Sequence, residues 1–151
     1  MAVAEMSTIV QETTVRAPRS RVWQALTTPS QLSTWFHCTL DTHEFRVGDK
    51  VGGVSTYPGC EGKGFTLKIV EMVPNQRFAW NWRPGKSASP EEPETTVTFE
   101  LEEIAGGTRV KVIETGFDRI SLQRRAQAFE DNNNGWKIQI QNLRNYAEQN
   151  A

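Results

Sequence analysis

The stretch 121–149, SLQRRAQAFEDNNNGWKIQIQNLRNYAEQ, governs how the rest of the chain is read. Leu122, Ala126, Phe129, Asn133, Trp136, Ile140, Leu143 and Ala147 recur at steps of four and three, which at 3.6 residues per turn sets them on one face of a long helix. Gln123, Gln127, Glu130, Asn134, Lys137, Gln141 and Glu148 occupy the other side, where water suits them. Ile138 also points away from the stripe, as lone exposed apolar residues often do. So long an apolar face requires a broad apolar partner. Two residues interrupt the pattern. Asn133 sits among the apolar positions, and Gly135 costs about 1 kcal/mol against Ala in a helix interior. A local bend or close backbone packing at Gly135, with Asn133 bonded to nearby backbone, is one explanation. A helix face that doubles as the wall of a ligand site is the other.

The partner lies upstream. Residues 95–103, with Val97, Phe99 and Leu101 alternating inward, and residues 108–115, with Val110 and Val112 inward, are joined by Ala105-Gly106-Gly107, a β-hairpin signature. Residues 64–72 alternate Phe65, Leu67 and Ile69 against Thr66 and Lys68. After a turn at Pro74-Asn75 the chain resumes over 77–82 with Phe78, Trp80 and Trp82 in phase. Facing the helix, those three rings line its partner surface; facing out, they form an aromatic strip suited to a protein partner. Residues 47–57 contain Gly48, Gly52 and Gly53, the mark of bends or bulges in a strongly curved sheet.

Residues 7–16 form a further half-buried strand, in which Ile9, Gln11, Thr13 and Val15 alternate with Val10, Glu12, Thr14 and Arg16. Pro18 suits the first position of a helix carrying Val22, Trp23 and Leu26. Thr28 and Pro29 open a second, short helix, with Thr28 and Gln31 as a capping-box pair and Leu32, Trp35 and Phe36 as a plug on the sheet edge. Residues 83–93, rich in Pro, Ser, Gly and Glu, have the composition of a mobile loop.

The order is therefore a strand, two short helices, about six antiparallel strands and one long terminal helix. That is an α+β architecture, a curved antiparallel sheet of six or seven strands around the helix. At 151 residues the chain is expected to be one domain, 1–151, able to bury roughly two-thirds of its unfolded surface without metals or disulfides. Seventeen basic against eighteen acidic residues give a net charge of −1, which argues against a general grip on nucleic acid or an anionic membrane. No basic and apolar leader opens the chain and no run of eighteen apolar residues occurs, so a cytoplasmic location without a membrane span is expected. Cys38 and Cys60 show no CxxC spacing and read as free thiols.

Val15-Arg16-Ala17-Pro18 leading to Val22-Trp23-Gln24-Ala25-Leu26-Thr27, then Leu32-Ser33-Thr34-Trp35-Phe36, and finally Asn134-Gly135-Trp136 with Leu143, carry a family resemblance. Over about residues 7 to 149 the chain resembles the START-like (SRPBCC) helix-grip superfamily. Within it, the chain looks most like the branch named after the C-terminal domain of Aha-type activators of a heat-shock chaperone ATPase. The resemblance implies a deep cavity between sheet and long helix, which relatives use for lipids, polyketides, plant hormones and other apolar molecules. It does not specify one ligand. The eukaryotic activators carry an additional N-terminal domain for which 151 residues leave no room, so chaperone activation is implied only as an alternative.

Such a cavity is concave, mostly apolar and shaped by a few polar groups. The wall candidates are Phe65, Leu67, Phe78, Trp80, Val97, Phe99, Val112, Phe129 and Trp136, with Trp35 from the short helix; ordinary core packing of these residues is the plainer alternative. Glu114 shares the strand phase of Val110 and Val112, and an inward carboxylate needs a partner or a proton. Arg125 and Asn133 are positioned to meet it or an intervening ligand; a structural ion pair near the sheet end is the plainer alternative. His37, Cys38, Asp41, His43 and Glu44 match no common metal-site spacing, residues 59–64 lack the order of a phosphate loop, and no nucleophile elbow occurs. No metal or cofactor is expected. Three functions follow: binding of a small apolar molecule, lipid or aromatic; a co-chaperone-like module stimulating a heat-shock chaperone ATPase; or a cyclase or aromatase with Glu114 as acid or base. The sequence leaves monomer and dimer open.

Overall fold

A computed structural model describes residues 7–84 and 92–149. Its elements are β1 (Thr8–Val15), α1 (Arg19–Thr27), α2 (Pro29–Phe36), β2 (Cys38–Leu40), β3 (Lys50–Ser55), β4 (Gly64–Val73), β5 (Arg77–Trp82), β6 (Thr95–Ile104), β7 (Gly107–Thr115), a 3-10 turn (Phe117–Arg119) and α3 (Leu122–Gln149). The strands form one seven-stranded antiparallel sheet in the order β1-β7-β6-β5-β4-β3-β2. Only β1 departs from sequence order, crossing to pair with β7 so that the first strand closes the edge beside the last. Of the expected loop over 83–93, residues 85–91 lie outside the described residues.

The alternation read from the sequence sets the inner face. Ile9, Val15, Leu67, Ile69, Phe78, Trp80, Val97, Phe99, Val110 and Val112 are buried, and the aromatic residues of β5 face inward. Val22, Ala25 and Leu26 of α1, Leu32 and Trp35 of α2, and Trp136, Ile140, Leu143 and Ala147 of α3 close the core over them. The long helix runs beside β1, where Gln11 Nε2 donates to Asn133 Oδ1 at 2.8 Å and the Arg16 N–H donates to Glu148 Oε2 at 2.9 Å. At its middle, Gln139 Nε2 donates to the Phe36 carbonyl at 2.8 Å, tying α3 to the end of α2.

Several local expectations are corrected. The buried stripe of α3 starts at Arg125 and Ala128, whereas Leu122 is 66% exposed and Ala126 is exposed. The first turn follows a chain reversal, and Arg125 takes the inward place because its guanidinium donates to the carbonyls of Asp118 at 2.6 Å and Ile120 at 2.9 Å. Pro18 is the residue before α1, with φ −67° and ψ 157°, and its carbonyl accepts from the Arg21 and Val22 N–H groups. Thr28 and Gln31 do not form a capping box: the Thr28 side chain makes no cap bond, and Gln31 Oε1 accepts from Arg21 Nη1 at 2.6 Å. Trp35 and Phe36 lie over the middle of the sheet, 6.5 Å from Phe99 and 6.4 Å from Trp80 between ring centroids.

The bulge falls in β4, between Ile69 and Glu71. Gly53 has a different purpose, since a Cβ there would come within 2.5 Å of the Phe65 ring, which lies across it. The register of α3 gives a direct test. Leu143→Ala is expected to destabilise by about 2–5 kcal/mol and Leu122→Gln by no more than about 0.5 kcal/mol, measured as urea unfolding midpoints; a larger loss at Leu122 would overturn the register.

Candidate functional site

Glu114 is placed on the inner face by the phase of β7, between Ile9 of β1 and Val97 of β6. It is fully buried. No cation meets it. Four neutral side chains do: Trp82 Nε1 donates to Oε2 at 2.8 Å, Thr95 Oγ1 to Oε2 at 2.5 Å, Trp136 Nε1 to Oε1 at 2.8 Å, and Asn132 Nδ2 reaches both oxygens at 2.9 and 3.1 Å. An indole N–H can only donate, and one stands at each oxygen, so the arrangement uses both oxygens as acceptors. Burial pushes the carboxyl's pKa above the ordinary carboxylate range, and the hydrogen bonds from Thr95, Trp82, Asn132 and Trp136 oppose it without cancelling it.

Three of those donors also face open space. Trp82, Asn132 and Trp136 line a pocket of about 310 Å³, together with Phe36, Cys38, Tyr57, Phe65, Gly135 and Ile138 among others. The pocket opens where the end of α2, the turn between β3 and β4 and the end of β5 approach the middle of α3. Its walls are mostly apolar, with an aromatic cluster at their centre. Trp82 and Trp136 stand 5.9 Å apart between centroids at 34°, Phe65 meets Trp82 edge-on at 6.3 Å, and Phe36 touches both indoles. With both indole N–H groups turned to Glu114, these walls present ring surface to the interior. A Cβ at Gly135 would meet nothing within 4 Å, so this glycine leaves the helix side of the pocket open. That removes close backbone packing as the reason for it. The Cys38 thiol, pushed up to about 12 by burial, stays protonated at neutral pH.

The sequence model described as Activator of Hsp90 ATPase homolog 1-like protein matches residues 16–148. This chain belongs to that family. No curated protein matches it. Among solved structures, protein MLL2253 from Mesorhizobium loti is similar at a TM-score of 0.78 and 21% identity, covering 95% of this chain and 98% of that one. Protein NE0264 from Nitrosomonas europaea gives 0.76 at 19% identity over 100% of both chains. The Aha1 dimer from Colwellia psychrerythraea gives 0.69 at 20% identity, covering 93% of this chain and 96% of that one. At such identities these likenesses establish the helix-grip fold that the Activator of Hsp90 ATPase homolog 1-like family shares. Among the described residues no helix is long and apolar enough to cross a membrane.

Within this member of the family, the expected wall residues divide. Phe65 and Trp136 line the pocket. Leu67, Phe78, Trp80, Val97, Phe99 and Val112 are closed into the core beneath it, where Trp80 packs on Phe99 at 5.4 Å and Phe99 on Trp136 at 5.6 Å. Trp35 is buried and its Nε1 donates to the Ala25 carbonyl at 2.8 Å, while Phe129 packs on Phe117 at 5.4 Å. Glu114 stands directly behind the pocket, but neither expected polar partner meets it: Arg125 is turned to the carbonyls before α3, and Asn133 is turned to Gln11. The amide that reaches the carboxyl is Asn132, one residue earlier, because the stripe is rotated at its N-terminal end. Asn132, Gly135, Trp136 and Gln139, at steps of three, one and three, form the pocket side of α3. That second stripe was the available sequence signal.

The raised carboxyl has a pH consequence. The folded protein keeps the Glu114 proton to higher pH than the unfolded chain does, so this contribution to stability is fully present below the unfolded carboxyl's pKa and is lost as pH rises through the folded one. Glu114→Gln sets an amide NH2 against one of the donors at about 1–3 kcal/mol and has no such titration. Urea unfolding at a series of pH values is therefore expected to show the wild type's advantage over Glu114→Gln narrowing from the carboxylate range toward neutrality. A gap that widens would show a lowered pKa instead.

Proposed function

We propose that this protein binds a small apolar molecule in the aromatic pocket between the end of β5, the turn before β4 and the middle of α3. The observation that carries the proposal is an open, mostly apolar space of about 310 Å³ with an aromatic cluster in its wall, against a helix that carries glycine where a Cβ would meet nothing within 4 Å. That volume is at the lower end of the range for small-molecule sites. The fold supports the same reading, since helix-grip relatives enclose space between sheet and terminal helix. Glu114 contributes by holding Trp82, Asn132 and Trp136 in place through bonds of 2.8 to 3.1 Å.

A co-chaperone activity is the second reading, supported by the family's description and by the naming of a structural neighbour as an Aha1 dimer. Stimulation of the ATPase of the cognate heat-shock chaperone by the purified protein tests it. The cyclase or aromatase alternative has less support. It requires Glu114 to reach a substrate, yet the carboxyl is buried and both its oxygens already accept hydrogen bonds from four side chains.

Gly135 provides the test of the binding reading. Gly135→Met is expected to fill the pocket and weaken binding of the uncharged probe N-phenyl-1-naphthylamine at least roughly tenfold, while Gly135→Ala raises stability by about 1 kcal/mol through helix propensity. Fluorescence titration reads the first effect and urea unfolding the second. Equal probe affinity in wild type and a folded Gly135→Met protein would overturn the proposal.

A further inference from the structure

Charge is unevenly placed around this pocket. The aromatic interior offers no hydrogen-bond donor from its indoles, because Trp82 and Trp136 spend their N–H groups on Glu114. Two cations line the pocket where the strands enter it. Lys63 stands two residues before Phe65, and Arg83 directly follows Trp82, so each cation adjoins an aromatic wall. Arg83 commits Nε to the Glu92 carbonyl at 2.9 Å, and its Nη1 is 4.0 Å from Glu94 Oε2, beyond hydrogen-bond length. A guanidinium carries five N–H donors in all, so others remain for a ligand. Asp131 is the acidic residue among the described lining residues, and its Oδ1 already accepts from Gln127 Nε2 at 2.8 Å. Glu114 lies at the deep end, where a ligand acid would face its acceptor oxygens across the ring walls.

Resting on the pocket reading above, we propose that the ligand is an amphipathic monoanion. Its apolar body lies against Phe65, Trp82 and Trp136, and a single acidic head points outward to Lys63 and Arg83. The two cations at the strand entries, and the ring surfaces that Trp82 and Trp136 present in front of Glu114, fix that direction. An acid buried head-first between Trp82 and Trp136 would meet their ring surfaces and the acceptor oxygens of Glu114 behind them, which is costly for an anion. Two half-exposed contacts of this kind are together worth roughly three- to tenfold in affinity, and that part weakens with salt.

A matched pair of probes tests the proposal: N-phenyl-1-naphthylamine and its sulfonate, 1-anilinonaphthalene-8-sulfonate, titrated by fluorescence at low and high salt. The sulfonate is expected to bind roughly three- to tenfold more tightly at low salt, with the difference abolished in Lys63→Ala/Arg83→Ala and both signals lost in Gly135→Met. Equal affinity of the pair, unchanged in the double variant, overturns the acidic head and leaves the pocket reading standing. Binding of neither probe overturns both, and a sulfonate signal that survives Gly135→Met places the dye elsewhere and overturns the assignment. Competition separates the sources of an apolar acid. Displacement of the sulfonate by 2-naphthoate alone assigns an aromatic acid, displacement by dodecanoate alone assigns an acyl chain, and displacement by both assigns the shared chemistry without selection. Displacement by neither overturns the proposal for carboxylates.

Discussion

A carboxyl held by four neutral side chains, sealed between sheet and helix, is the constraint on which the rest of the structure depends. Burying Glu114 is unfavourable unless its oxygens are hydrogen-bonded, and the bonds come from three different elements: Trp82 ends β5, Thr95 starts β6, the strand beside it, and Asn132 and Trp136 sit on α3. Satisfying one group therefore fixes how far α3 lies from the sheet and which way two tryptophans turn. Removing a donor leaves the carboxyl under-satisfied, whereas removing the carboxyl leaves two indole N–H groups and an amide to find other partners. The network is thus costly from either side.

The same network decides where space remains. Deep in the fold, Trp80, Phe99 and Trp136 pack at centroid separations of 5.4 to 6.3 Å and fill the region where sheet and helix are closest. Toward β2 the sheet extends past what α3 covers. There the helix carries Asn132, Gly135 and Gln139, and the sheet side carries Phe65 and Trp82. The opening is consequently a mouth at one end, with the aromatic core as its floor. Gly53 contributes from below, since only a residue without Cβ lets the Phe65 ring lie across β3.

Much of the fold was legible because it rests on periodicity. The alternation through Val97, Phe99 and Leu101, the Ala105-Gly106 turn with Gly106 at φ +81°, and the three- and four-residue steps of α3 from Trp136 to Ala147 each follow from local rules that tertiary packing did not override. The site was legible only in part. Phase was enough to send Glu114 inward and to choose Phe65 and Trp136, but phase alone does not separate a ring at the floor of a cavity from one beneath it, and that is where Phe78, Trp80 and Phe99 lie. The one-position error between Asn133 and Asn132 has a physical source. Leu122 and Ala126 look like the start of the stripe, yet the inward place in the first turns goes to Arg125, whose guanidinium satisfies the carbonyls of the 3-10 turn. A charged residue doing the work of a cap is invisible to hydrophobic periodicity.

Family membership and the site carry different kinds of information. The residues behind the resemblance, from Val15 to Pro18, Val22 to Thr27, Leu32 to Phe36 and Asn134 to Trp136 with Leu143, mostly build the frame: Val22, Ala25, Leu26 and Leu143 are buried, and Trp35 is spent on the Ala25 carbonyl. Only Phe36, Gly135 and Trp136 belong both to that set and to the pocket. Beyond these and the Glu114 donors Trp82 and Asn132, the pocket is lined by the turn around Tyr57 and Cys60, the strand entries at Lys63 and Arg83, and Ile138 on the outer side of α3, among others. Those positions are free to change without disturbing the Glu114 network, because none of them donates to it. A frame fixed by one buried carboxyl can therefore carry different mouths, and the ligand of any one member has to be argued from the mouth it has.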